Sequence, residues 1–339
     1  MEKRNVLVIG ATGAMGQYLT PALAEMGFRT DALAIDLPGY SHPNIRNIKG
    51  NAADWKFMTA LLKENRYDGI VDFMKYNTAK LTTWLPMFLE NTGHYIYLSS
   101  YRVYGNEELP VRETSPRLID CCQDPLLVNS DDYCIYKARG ENVLRGTNRK
   151  NWTIIRPAIT YSLMRYQLAT MEAPMTVARA FAGKPVVFPE QVRHKYTTMS
   201  WAGDVAEMIA KLLFNPQAYG EAFTVATAEH HTWEEIAGYY HDICKMDVVW
   251  VDKEIYNTIP GYTDIYSRWQ LEYDRLFDRI MDNSKVLAVT GMQQQKMKKL
   301  YDGLEYEIGR CPRDTDFGIA GWVADLWDKM DEIAKGIIK

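Results

Sequence analysis

Two side chains in the stretch SDDYCIYKARGENVLR, residues 130–145, have the types and spacing for proton chemistry: Tyr133 and Lys137. On a helix, positions i and i+4 share a face, so the ammonium can stand beside the phenolic oxygen. A neighbouring cation favours a phenolate, and a phenol so placed can give up and take back a proton near neutral pH. In a chain with 22 tyrosines such pairs also arise by chance, and Tyr136, next to Lys137, faces elsewhere. What strengthens the pair is HYIYLSSYRVYG, an apolar run that ends in Ser99 and Ser100. A hydroxyl at the carboxyl end of a buried strand is placed to hold a substrate oxygen.

The second chemical feature is VLVIGATGAMGQYL, where Gly10, Gly13 and Gly16 fall between an apolar run and a helical pattern. Glycines at such a turn let the backbone approach a pyrophosphate, while the helix N-terminus supplies N–H groups and the positive end of its dipole. The spacing is GxxGxxG, and three glycines alone would also suit a tight turn. Their place at the first strand-to-helix turn of an alternating chain turns the reading towards a dinucleotide. Asp36, ending the second strand pattern, is placed to accept hydrogen bonds from an adenosine ribose. Leu37 and Pro38 follow it, with no Arg or Lys, which favours NAD and leaves NADP open. With a dinucleotide in position, Ser100 would hold a substrate oxygen and Tyr133 would move its proton as the nicotinamide takes a hydride.

These groups need elements to carry them. Short apolar runs alternate with helical patterns: NVLVIG, QYLTPALAEMGF, TDALAID, WKFMTALLKEN, GIVDFM, WLPMFLENTG, HYIYLSS. Strands apolar on both faces belong in a parallel sheet covered by helices, so this order predicts an α/β, doubly wound parallel sheet of the Rossmann type. NWTIIRPAITY, GDVAEMIAKLLFN and EAFTVATA read as a later strand, helix and strand, and Thr232 to Glu235 as a capping box. Pro21 predicts a kink in the first helix. From about Val249 the chain is rich in Trp, Tyr and charge, with helical periodicity. At 339 residues it exceeds the usual single domain, and no linker or repeat divides it. Residues 1–160 are expected to form the dinucleotide-binding domain, with 200–228 returning to it and 161–339 forming an interleaved, smaller substrate-binding lobe.

Taken in order, GATGAMG, LSSYRVYG, YCIYK and IIRPAITY resemble the extended short-chain dehydrogenase/reductases, the NAD-dependent epimerase/dehydratase group, over roughly residues 4–230. The resemblance implies that Ser100, four before Tyr104 of the VYG element, is catalytic together with Tyr133 and Lys137. It implies that Lys137 also binds the nicotinamide ribose. Cofactor contacts are implied for Gly10, Thr12, Gly13, Ala14, Met15 and Gly16 of GATGAMG, for Asn51 and Ala52 of GNAAD, for Phe73, Met74 and Lys75 of DFMK, and for Pro157 of the RP element. Members commonly act on nucleotide-linked sugars, and the resemblance suggests a homodimer. Family 4,6-dehydratases carry Asp-Glu just after the catalytic hydroxyl; here Tyr101 and Arg102 follow Ser100, which disfavours dehydration. Ile159 stands where an Asn often meets the phosphate side of the substrate, and Asn77 is the nearest counterpart of the family's helical Asn.

The bulk properties narrow the classes further. A net charge of −4 provides no basic field for nucleic acid or anionic lipid. Five cysteines without a CxxC pair suit a reducing compartment. The apolar run after MEKR is too short for a signal peptide, and no stretch nears the roughly 18 apolar residues of a membrane span, so a soluble cytoplasmic protein is expected. His230 and His231 lack a carboxylate or thiol at metal spacing, and no metal is expected. Arg268, Arg275, Arg279 and Lys285 alternate with acids and read as a solvated, salt-bridged face, from which one arginine could serve a substrate phosphate. The expected function is an NAD-dependent epimerase or oxidoreductase of a nucleotide-activated sugar. The alternatives are a reductase or dehydrogenase of another hydroxyl or keto compound, and a dinucleotide-sensing regulator without turnover. Such sensors typically lose the tyrosine or the lysine, and both stand here.

Overall fold

The computed structural model describes residues 3–337; residues 1–2 and 338–339, the outer ends of the two expected domain ranges, lie outside the described part. Six strands come in the first half: β1 (Asn5–Ile9), β2 (Arg29–Ala34), β3 (Ile45–Lys49), β4 (Tyr67–Asp72), β5 (Thr92–Leu98) and β6 (Trp152–Ile155). The helices among them are α1 (Gly16–Glu25), α2 (Trp55–Glu64), α3 (Thr78–Glu90), the short α4 (Leu118–Cys121) and α5 (Pro125–Asn129), and α6 (Tyr133–Arg145). Then follow β7 (Ile159–Tyr161), α7 (Val177–Phe181), β8 (Val186–Pro189), β9 (Tyr196–Thr197), β10 (Met199–Trp201), α8 (Ala202–Leu212) and β11 (Glu221–Phe223). The large sheet has the order β11-β6-β5-β4-β1-β2-β3, every neighbouring pair parallel.

The apolar run of β1 shows why this sheet lies in the middle of a sandwich. Val6 and Val8 face Leu19 and Leu23 of α1 and Val205 and Ile209 of α8, while Leu7 and Ile9 face Met58 and Leu62 of α2 and Leu81 and Leu85 of α3. Each such side chain contributes on the order of 1.5–3 kcal/mol when fully buried. Strand β3 was not anticipated. Its IRNIK sequence carries only two apolar residues, Ile45 and Ile48, at the half-buried sheet edge, so it lacks the apolar run that marks an inner strand. The IIRPAITY strand is divided at Arg156 and Pro157: β6 stays in the large sheet, and β7 leaves it to pair with β10. Helix α1 runs through Pro21.

The second lobe is built from small pairs, β7 with β10, β9 with β12 (His231–Thr232) and β8 with β13 (Val248–Val251), and from helices of the C-terminal third. Its core gathers Tyr166, Phe188, Trp233, Tyr240 and Leu304. The expected capping box is formed, Thr232 and Glu235 bonding reciprocally ahead of helix Trp233–Cys244. The last helix, Trp322–Ile337, is fastened by the buried Arg179, whose guanidinium meets Asp331 at 2.6 Å. Among the described residues no helix is long and apolar enough to cross a membrane.

Candidate active site

Past β1 the chain turns at Gly10 with φ +82°, a left-handed conformation that glycine alone adopts freely. A Cβ on Gly16 would lie 2.3 Å from the Gly10 carbonyl oxygen, so only glycine lets α1 start this close to the strand end. Among the described residues no side chain caps α1, and its first turn carries no acid, which leaves the positive end of its dipole to an outside anion. Thr12, Gly13, Ala14, Met15 and Gly16 wall one end of a cavity of about 710 Å³ between the carboxyl edge of the sheet and the second lobe. Asp36, Ala52, Phe73, Met74, Lys75 and Pro157 line the same cavity. Asn51 does not: its amide oxygen accepts the Ala53 N–H at 2.9 Å, closing its own loop. Asn77 likewise caps α3 through the Lys80 N–H at 2.9 Å. The cradle without room for a Cβ, the uncapped helix end and the acid beyond β2 together fit a dinucleotide.

The residues expected to handle the proton sit further along the same cavity. Helix α6 starts at Tyr133 because the Asp132 carboxylate accepts the Cys134 N–H at 3.1 Å. Tyr133 and Ser100 both line the cavity, Ser100 at 5% exposure. Ser100 Oγ accepts the Arg102 N–H at 3.2 Å, capping the single turn Tyr101–Val103. Three cations surround the Tyr133 ring: Arg102 at 5.1 Å, Lys137 at 5.8 Å and Lys75 at 5.9 Å from its centroid. Lys137 is fully buried outside the cavity wall, donating to the Leu98 carbonyl 5.2 Å above the Tyr97 ring. Burial pulls its ammonium down to about 7, with the Asp72 carboxylate opposing. Asp72, buried at the end of β4, is itself pushed up by burial; it accepts the Met74 N–H at 2.9 Å and the Tyr95 hydroxyl at 2.8 Å.

Two features of α6 that sequence reading missed fix these groups in register. Gly140 packs so tightly on β5 that a Cβ there would lie 2.2 Å from the Tyr97 hydroxyl oxygen. Glu141, wholly buried, accepts the Ser99 hydroxyl at 2.5 Å, Arg156 Nε and Nη2 at 2.8 and 2.6 Å, and Arg117 Nη1 at 3.2 Å. Burial alone would raise this carboxyl, but Arg156 and Arg117 overcome it and hold the group below its usual range. One carboxylate thus ties the helix of Tyr133 to the residue beside Ser100. The signal was present in the sequence, since Tyr133, Lys137 and Glu141 fall on one helical face at i, i+4 and i+8.

The far wall also comes from residues the sequence did not single out, among them Arg165, Glu172 and Gln270. The expected solvated arginine face is corrected in part: Arg275 and Arg279 are 3% and 2% exposed, and Arg275 lines the cavity. Both gather on the buried Asp274. Arg268 donates to the Tyr262 and Thr263 carbonyls, and Lys285 meets Glu221 at 2.8 Å. Periodicity cannot separate an arginine facing water from one folded inward onto a carboxylate. His231 pairs with Glu229 at 2.9 Å, and among the described residues no group of His, Cys, Asp and Glu is arranged to hold a metal.

The fold and the cavity agree with the comparisons. The pattern of the NAD-dependent epimerase/dehydratase family matches residues 6–226, and the chain belongs to that family. It is therefore an NAD-dependent enzyme of the extended short-chain dehydrogenase/reductase type. Similar solved structures include an epimerase from Methanothermobacter thermautotrophicus, 16% identical, with 98% of this chain and 95% of that chain covered and a TM-score of 0.70. A UDP-N-acetylglucosamine 4-epimerase from Methanobrevibacter ruminantium, in complex with UDP-N-acetylmuramic acid, is 17% identical over 91% and 98% of the two chains, with a TM-score of 0.68. A UDP-glucuronic acid 4-epimerase from Bacillus cereus, in complex with UDP-glucuronic acid and NAD, is 16% identical over 90% and 98%, with a TM-score of 0.66. At these identities the likeness bears on the fold. Among curated proteins none matches the chain.

Proposed function

We propose that this protein is an NAD-dependent epimerase or oxidoreductase of a nucleotide-activated sugar, with Tyr133 as the proton carrier, Ser100 as the holder of the reacting oxygen and Lys137 as the charge behind the phenol. The observation that carries the reading is that Tyr133 and Ser100, from separate segments, line one cavity whose other end is the glycine cradle. Bound NAD supplies the hydride acceptor and donor. Ser100 Oγ orients the sugar hydroxyl, and Tyr133 takes its proton and later returns it. The buried Lys137 ammonium favours the phenolate that this exchange requires. Asp36 serves the adenosine ribose, where a carboxylate would repel a 2′-phosphate.

Epimerisation or net redox suits the residues after Ser100 better than dehydration does. Tyr101 donates its hydroxyl to Asp274 at 2.8 Å and accepts from Arg275 at 2.7 Å, and Arg102 is a cation, so neither is free to act as a carboxylic acid or its base. In this reading residues 1–160 and 200–228 carry the cofactor and the remainder carries the sugar. Purified protein incubated with a panel of UDP-, dTDP-, GDP- and CDP-sugars tests it. Isomerised sugar without net nicotinamide absorbance change identifies an epimerase, and a stoichiometric NADH change identifies a dehydrogenase or reductase. Absence of turnover on every nucleotide sugar would refute the substrate class.

A further inference from the structure

We infer that Arg102 is a specificity residue that takes a carboxylate carried by the sugar ring, next to the oxygen handled by Ser100 and Tyr133; this rests on the proposed nucleotide-sugar reading. The Arg102 side chain is 13% exposed and lines the cavity, yet its guanidinium makes no hydrogen bond among the described residues, and its buried Nε is an orphan. Its nearest carboxylate oxygens, on Asp132 and Asp274, both stand at 3.9 Å. The oxygens nearest Arg102 are already engaged. Asp132 Oδ1 caps α6 through the Cys134 N–H. Asp274 Oδ1 takes Arg279 Nε at 2.9 Å, and its Oδ2 takes Arg275 and the Tyr101 hydroxyl. The buried Asp274 carboxylate therefore faces three guanidiniums, with Asp132 3.9 Å from Arg102 on the other side, and Arg102 and Arg275 both meet the cavity.

A largely buried guanidinium that makes no hydrogen bond, its nearest acids 3.9 Å away, carries a desolvation cost that an incoming anion relieves, most fully through a two-pronged carboxylate contact. Its place tells which part of the ligand would supply the anion. Arg102 stacks 5.1 Å over the Tyr133 ring, and its own N–H binds Ser100 Oγ. It therefore belongs to the proton-transfer end, where the sugar ring must lie, and Lys75 adds further positive charge there. A neutral hydroxymethyl group would leave the fork unanswered.

UDP-glucuronate and UDP-glucose share the nucleotide and the diphosphate and differ in one carboxylate, so their affinities for NAD-saturated protein, measured by calorimetry, isolate this contact. The wild type should bind UDP-glucuronate at least tenfold more tightly. Arg102→Gln should reduce that preference to about twofold or less, and Arg102→Lys, a charge without the fork, should retain part of it. NAD affinity of each variant reports on the fold. If Arg102→Gln cannot bind NAD, the drop in preference of Arg102→Lys carries the test. Equal binding of the two sugars by the wild type, or a preference that survives both substitutions, overturns the inference and leaves the proposed function standing; parallel loss of both sugars in Arg102→Gln does the same, because it assigns the arginine to the diphosphate. A wild type that binds NAD but neither sugar sinks the proposed function, and the inference with it.

Discussion

Lys137 occupies a position no ammonium would choose for stability: fully buried, with one carbonyl partner and the opposing charge of Asp72. Its pKa drops from the ordinary lysine value of 10.5 to about 7 in the fold, burial being the main cause. The unfolded chain therefore binds more protons than the folded one between about pH 7 and 10.5, and stability rises with pH across that window. Below pH 7 the penalty is present in full. Lys137→Met should accordingly be more stable than the wild type by about 1–2 kcal/mol at pH 6.5, while turnover is lost. The urea midpoints of the two proteins should converge as the pH climbs towards 10, and a variant less stable at pH 6.5 would contradict the placement. At this scale the i, i+4 spacing, legible in the sequence, places Tyr133 and Lys137 on one face of α6, the Lys137 Nζ 5.8 Å from the Tyr133 ring centroid, while the roles proposed for them rest on the proposed function. The sequence was not legible for Arg102 and Arg275, because an arginine declares nothing until its partner is known. For Arg102 the nearest acids, Asp132 and Asp274, stand at 3.9 Å and come from distant parts of the chain.

Helix α6 works because it lies unusually close to β5. Glycine inside a helix costs about 1 kcal/mol relative to alanine, and Gly140 accepts that penalty where a methyl would collide with the Tyr97 hydroxyl oxygen at 2.2 Å. Tyr97 is buried and its ring lies under Lys137, so it has little room to yield. Gly140→Ala should therefore destabilise the protein by about 1–3 kcal/mol in spite of the better helix former, and lower kcat more than it raises the Kd for NAD. Thermal unfolding and NAD titration check both parts; a stabilised variant would show that the helix is not pressed onto the strand. Elements with an apolar run or a cap announced themselves, β1 and helix Trp233–Cys244 being the clearest. Those defined by contact did not. β3 is an edge strand with only two apolar residues, and the break between β6 and β7 depends on two sheets that compete for one segment.

For the whole molecule, the sheet that carries the candidate active site at its carboxyl edge has a pH-sensitive anchor near the other end. His94 is buried at the start of β5, its Nδ1 accepting the Phe214 N–H at 2.9 Å and its Nε2 lying 2.8 Å from Thr153 Oγ1. Burial lowers its pKa to about 4, so the folded protein keeps it neutral while the unfolded chain protonates it below about 6.5. Stability should thus fall as the pH drops from 6.5 to 4, by up to about 3 kcal/mol from this residue. His94→Asn should flatten the dependence of the urea midpoint on pH in that window, and an unchanged slope would remove His94 as its source. The proposed division into a cofactor part and a sugar part converges on Tyr133, and the most direct measurement of the account is turnover by Tyr133→Phe alongside its affinity for NAD. The account predicts a fall in kcat of at least about 100-fold with the Kd for NAD within about threefold of the wild type. A variant that turns over at the wild-type rate would contradict it.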